Sequence, residues 1–152
     1  MSLDFEKYAA KGNKFVKLVE DELQVPKDKA GRIIRAVLHA LRNRLSHEDS
    51  FRLLAQLPLA LKGIYVDGWK FDKDFTRISH GNDFLDEVRK EDWEQASYDF
   101  GNNRNAQKAI AAVFKAMSYF VNKGEFENIM ASLPGEIKQF EKRVWKSKET
   151  VL

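Results

Sequence analysis

The chain contains no cysteine, which excludes disulfides, thiol catalysis and Cys-ligated zinc or iron–sulfur sites. It holds only three histidines, His39, His47 and His80. They form neither the H-x-x-x-H nor the H-E-x-x-H spacing that sets two imidazoles on one helix face around zinc. There is no G-x-x-x-x-G-K-[ST], G-x-G-x-x-G or G-x-S-x-G string. The eight glycines stand singly and are expected at turns, so nothing is written to cradle a phosphate. The acids are scattered over polar faces, and no pair is flanked by apolar residues on both sides, the setting that would drive two carboxyl pKa values apart. No apolar run approaches about 18 residues and no signal peptide is evident, so a soluble cytoplasmic protein is expected. No catalytic residue, cofactor-binding residue or metal ligand is singled out, and a non-enzymatic protein is the expectation.

What is present is charge, aromatic rings and a repeat. At 152 residues the chain is about one domain long and can fold on hydrophobic burial alone. Its net charge of +3 hides an asymmetry. Residues 30–66 hold six Lys/Arg against two Asp/Glu, whereas residues 67–99 hold five against ten. A basic stretch is therefore followed by an acidic one, and mutual neutralisation within the fold is the simplest reading.

The stretch Ala30 to Ile64 recurs, without a gap, 76 positions later as Ala106 to Phe140. Nine of the 35 aligned pairs are identical, among them Ala36/Ala112, Val37/Val113, Leu57/Leu133 and Pro58/Pro134; chance would supply about two. The expected fold is all-α, a bundle of about eight helices built from two tandem similar halves. The whole chain, 1–152, reads as a single domain. Repeat one runs over about 5–69, an aromatic acidic connector over about 70–82, and repeat two over about 83–146.

Along the chain, Tyr8, Gly12, Phe15, Val16, Val19 and Leu23 form the apolar stripe of a helix over Phe5 to Leu23. Val25-Pro26 ends it. A long helix opens at Lys27 or Asp28, with Ile34, Val37, Leu38, Leu41 and Leu45 on one side. Arg32, Arg35, His39, Arg42 and Asn43 lie opposite, a pattern that predicts a solvated face. Arg44 stands at the edge of the stripe where the second copy has Phe120, and Glu48 is the expected local partner. Ser46 and Asp49 read as a capping box, matched by Asn122 and Glu125. Short helices follow on either side of Leu57-Pro58. The stretch from Tyr65 to Phe100 carries eight of the 18 aromatics, a composition of packed structure. Phe84-Leu85 and Val88 echo Phe15-Val16 and Val19 at an offset of 69. The second long helix carries Ile110, Val113, Phe114, Met117, Phe120 and Val121. Beyond Leu133-Pro134, Ile137, Phe140 and Val144 continue a helical stripe.

The strings AGRIIRAVLHALRNRLSHEDSFRLLAQLPLALKG, YVDGW and NKGEF…LPGEIKQF resemble the bacterial family catalogued as DUF2267. The resemblance covers nearly the whole chain. It implies an all-α bundle and supplies no catalytic residues, because the family is one of unknown function.

Two surfaces remain as candidates for function. Arg32, Arg35, His39, Arg42 and Arg52 could face a phosphate backbone or a protein partner. Trp69, Phe71 and Trp93, if exposed beside the acidic connector, would suit a protein partner or a second copy of the chain; if buried, they join the two halves. The preferred expectation is a protein-interaction or scaffold domain, possible as a homodimer and without membrane attachment. The alternatives are nucleic-acid binding through the arginine face, or a small-ligand site between the halves.

Overall fold

Side chains placed to satisfy amides that have no partner within a helix mark four of the helix starts. The computed structural model describes residues 3–70, 81–92 and 95–131, and among them are eight helices and no strand. They are α1 (Phe5–Leu23), α2 (Lys27–Arg44), α3 (His47–Leu54), α4 (Leu59–Val66), α5 (Gly81–Asp92), α6 (Ala96–Phe100), α7 (Asn103–Met117) and α8 (Lys123–Met130). The carboxylate of Asp4 accepts from the Lys7 N–H at the start of α1. Ser46, Asn102 and Asn122 do the same for the amides of Asp49, Asn105 and Glu125. Each satisfies one of the orphan donors of a first turn. α2 and α4 instead follow Pro26 and Pro58, whose fixed φ suits a helix entry. Phe71, Phe75 and Trp93, the connector from residue 71 to 80, and everything from Leu133-Pro134 through Ile137, Phe140 and Val144 lie outside the described residues.

α2 is the axis of the molecule. It packs most heavily on α5 and also touches α1, α4, α6 and α7. Its expected apolar stripe is buried, and so are Ile33, Ala36, Ala40, His39 and Arg42 on its other sides. Between Ile33 and Arg42 only Arg35 is exposed. The expectation that His39 lies on a solvated face is therefore corrected: His39 is 6% and Arg42 9% exposed. A helix packed against α1, α4, α5, α6 and α7 buries polar residues along with its apolar ones.

The other helices pack in pairs. α1 lies chiefly on α7, and α3 lies on α8. Phe15 of α1 meets Phe120 at 5.7 Å between ring centroids, and Phe114 of α7 meets Phe126 of α8 edge-on at 5.8 Å, the tilted geometries that aromatic quadrupoles favour. The Gln56 side-chain oxygen accepts from the Asn122 N–H at 3.2 Å, joining the turn after α3 to the start of α8. Phe84, Leu85, Val88 and Phe100 fill the α5–α6 side of the same core.

Not all glycines sit at turns, as had been expected. Gly12, Gly31 and Gly63 are inside α1, α2 and α4. At Gly12 the reason is contact: a Cβ built there would stand 2.8 Å from the Ala60 Cβ of α4, so only glycine lets the two helices approach this closely. At Gly31 a Cβ would meet nothing within 4 Å. The two glycines thus respond to alanine in opposite directions. Gly12→Ala is expected to destabilise the fold by about 1–3 kcal/mol through overpacking, and an added Ala60→Gly to recover the steric part. Gly31→Ala is expected to stabilise by about 0.5–1 kcal/mol through helix propensity. Urea denaturation of the three variants, with unchanged m-values, checks both signs.

Candidate functional site

The C-terminal end of α4 leaves four carbonyls without partners inside the helix. Asp67 N–H takes the Gly63 carbonyl and Trp69 N–H takes that of Val66. The remaining two are met by α2. His39 Nε2, 2.7 Å from the Ile64 oxygen, must carry the hydrogen and donate. Arg42 Nη1 donates to the Tyr65 oxygen at 2.9 Å and to the Asp67 oxygen at 2.6 Å. Arg35, one turn earlier, pairs with the Asp67 carboxylate. His39 and Arg42 thus cap α4 from a neighbouring helix, and Arg42 sets positive charge against its negative dipole end.

This placement sets the electrostatics. Burial pulls the His39 imidazole down to about 4, outweighing the Ile64 carbonyl that favours the cation, with Arg42 and Arg35 pushing the same way as burial. His39 is therefore neutral near pH 7. Glu91 lies 3.8 Å from its Nδ1. Burial also lowers the Arg42 guanidinium from its usual value. Tyr65 underneath is fully buried, and its hydroxyl shares a 2.7 Å hydrogen bond with Ser50; burial pushes its phenol up.

The rest of the arginine face meets the acidic stretch. Arg32 forks onto Asp99, Nε at 2.8 Å and Nη2 at 3.0 Å, a bidentate charge-assisted pair. Asn43 donates to both Glu87 and Glu91 of α5. Arg44 pairs with Glu87 at 2.8 Å in largely buried surroundings. That corrects the expected Arg44–Glu48 pair: α5 lies beside the end of α2, and Glu48 instead serves Arg52 at 2.8 Å. Arg52 stands apart on α3, half exposed and within reach of Glu48 and Asp49.

Of the residues singled out from the sequence, Arg35, His39 and Arg42 converge on the end of α4, and Arg32 is directed to α6. Trp69 is partly buried, its ring packed against Tyr65 at 5.8 Å and His47 at 5.7 Å. Phe71 and Trp93 lie outside the described residues. The acids Asp67, Glu87, Glu91, Asp92 and Asp99 were not singled out, although the opposite charge balance of residues 30–66 and 67–99 was the signal that could have found them. Among the described residues no group of three or more His, Asp or Glu is placed to hold a metal ion. No helix among them is long and apolar enough to cross a membrane.

A family model described as an uncharacterized conserved protein, DUF2267, matches residues 12–140. No curated protein matches the chain.

Removing Arg42 leaves two carbonyls unmet, whereas Arg35 is exposed beside Asp67. Arg42→Met is expected to cost about 2–4 kcal/mol and Arg35→Met less than about 1 kcal/mol, with faster amide exchange over residues 59–67 in the Arg42 variant alone. His39→Gln keeps an N–H for Ile64 but cannot titrate. Because the folded pKa of His39 is depressed, its stabilising effect is complete above about pH 6.5 and is lost as pH falls towards 4. The wild type is therefore expected to lose about 2 kcal/mol relative to His39→Gln over that interval, as read by denaturant melts at each pH.

Proposed function

The chain belongs to the DUF2267 family, described as uncharacterized, and from that premise we propose that it works as a non-enzymatic protein-interaction or scaffold domain. The supporting observation is where large apolar side chains meet solvent. Phe51 on α3 is 56% exposed, Leu59 on α4 47%, and Tyr119 beyond α7 53%, while smaller and equally apolar side chains are fully buried. Aromatic side chains left in water beside a well-packed core are the usual anchors of protein interfaces. A cytoplasmic setting fits this reading.

We infer further that the chain is one domain of two tandem similar halves, about 5–69 and about 83–146, joined by the aromatic acidic connector of about 70–82. Helix positions support this. α2 begins at Lys27 and α7 at Asn103, and α3 spans His47–Leu54 as α8 spans Lys123–Met130, each 76 positions on. The N-caps Ser46 and Asn122 keep the same offset and bond to the same position of the first turn. α1 rests on α7 as α5 rests on α2, as expected if each half lends its leading helix to the other.

Nucleic-acid binding is the second reading. It is favoured at Arg35 and Arg52, whose side chains are about half exposed; Arg32, His39 and Arg42 would have to leave their carboxylate and carbonyl partners. Three measurements separate these readings. Sedimentation equilibrium from about 1 μM to about 500 μM is expected to show self-association that Phe51→Glu/Tyr119→Glu abolishes, or else cross-linking in cell extract is expected to capture a partner that the same variant loses. A monomer throughout, with identical capture by both proteins, would contradict the interaction reading. DNA or RNA affinity falling steeply between about 50 and 200 mM salt, and lost in Arg35→Glu/Arg52→Glu, would favour the second reading.

A further inference from the structure

Beyond the interaction reading, one cluster of titratable groups has no part in the clamp on α4. We propose that Asp92, Asp99 and Arg32 form a proton-operated latch that holds the α5–α6 corner on α2 while one proton is shared between the two carboxyls, and loosens it when that proton leaves.

The argument begins with Asp99. Its side chain is fully buried, and both of its oxygens receive N–H bonds from Arg32. One carboxylate therefore already matches one guanidinium. Asp92, the last residue of α5, brings a second carboxyl within hydrogen-bonding reach of Asp99. Its Oδ2 is buried, and no donor among the described residues reaches it. An ionised oxygen there would face three costs. It would be buried without a donor, it would stand beside the negative Asp99, and it would sit at the negative end of the α5 dipole. A proton on Oδ2 removes all three. The oxygen then donates towards the Asp99 carboxylate, which keeps both bonds from Arg32.

The charges that face this pair are few. From α2 come Arg32, Lys29, and Asp28, which lies 3.5 Å from Arg32. From α6 comes Asp99. On α5 itself, Glu91 is directed to Asn43 and His39, and Arg89 to the Gly101 carbonyl and Asn103 Oδ1 at the start of α7. Residues 93 and 94, which follow Asp92 in the chain, lie outside the described residues. The electrostatics agree with the geometry. Burial first, then the Asp99 carboxyl, push Asp92 up to about 7. Burial acts to raise Asp99 too, but the Arg32 hydrogen bonds, helped by Asp92 and Lys29, hold it below the usual carboxylate range.

Loss of the proton leaves two carboxylates sharing one guanidinium, and the weaker of the structures they join is α6. This helix has only five residues and is pinned by Phe100 in the core, by Asp99 on Arg32, and by the exposed Tyr98 ring beneath Lys29 Nζ at 4.5 Å. The sign follows from linkage. The folded form holds the Asp92 proton more tightly than the unfolded form, so the stabilisation is complete in acid and fades as pH rises through about 7.

Amide exchange of residues 96–101 between pH 5.5 and pH 8.5, corrected for intrinsic base catalysis, tests the latch. Protection of the wild-type amides is expected to fall at least about tenfold across this range. Asp92→Asn, whose amide mimics the protonated acid, is expected to hold protection level. Carboxyl carbon NMR of the wild type, which needs no variant, is expected to show one aspartate titrating near neutrality. Level protection in the wild type, an equal fall in Asp92→Asn, or ordinary titration of every aspartate near pH 4 would overturn the proposal.

Discussion

Burying most of α2, polar residues included, is the constraint on which the other contacts depend. An amphipathic helix normally leaves its polar face to water. Here most of that face is indoors, Arg35 being its exposed member, so its buried polar groups need partners from the protein. His39 and Arg42 find theirs in the last carbonyls of α4. Asn43 and Arg44 find theirs on α5, and Arg32 on α6. The position of α4, the docking of α5 and the anchoring of α6 are thus consequences of satisfying one buried helix.

The exchange works in both directions. α4 is eight residues long, too short to be stable alone, and its C-terminal carbonyls would be costly if left unmet. α2 in turn carries charges that would be costly to bury alone. Each supplies what the other lacks. Part of the charge asymmetry between residues 30–66 and 67–99 has the same explanation: Asp67, Glu87, Glu91 and Asp99 stand against polar groups of α2. That arrangement assigns much of the arginine face to folding and leaves the exposed ring of Phe51 outside that network.

The helices were largely legible in the sequence because their determinants are local. The stripe of α1, the stop at Val25-Pro26 and the caps at Ser46 and Asn122 depend on neighbours within a turn. The buried state of His39 and Arg42 was not legible. A period of 3.6 reports that polar residues share a face and is silent on what covers it. The covering groups lie 25 residues from His39 and 67 from Arg32. Arg44 misled for the same reason: Glu48 was one turn away, but the partner, Glu87, is 43 residues distant. Gly12 was readable as part of a stripe but not as a close approach, because that needs Ala60 of another helix.

Native-state hydrogen exchange of the α2 amides tests this account most directly. If α2 is the element that the others are arranged to satisfy, the amides from Ala36 to Leu41 exchange only through global unfolding, with the highest opening free energy in the chain and the same denaturant dependence as the whole protein. If those amides instead exchange through a lower-energy local opening while α1 and α7 remain protected, α2 is not the axis of the fold and the account fails.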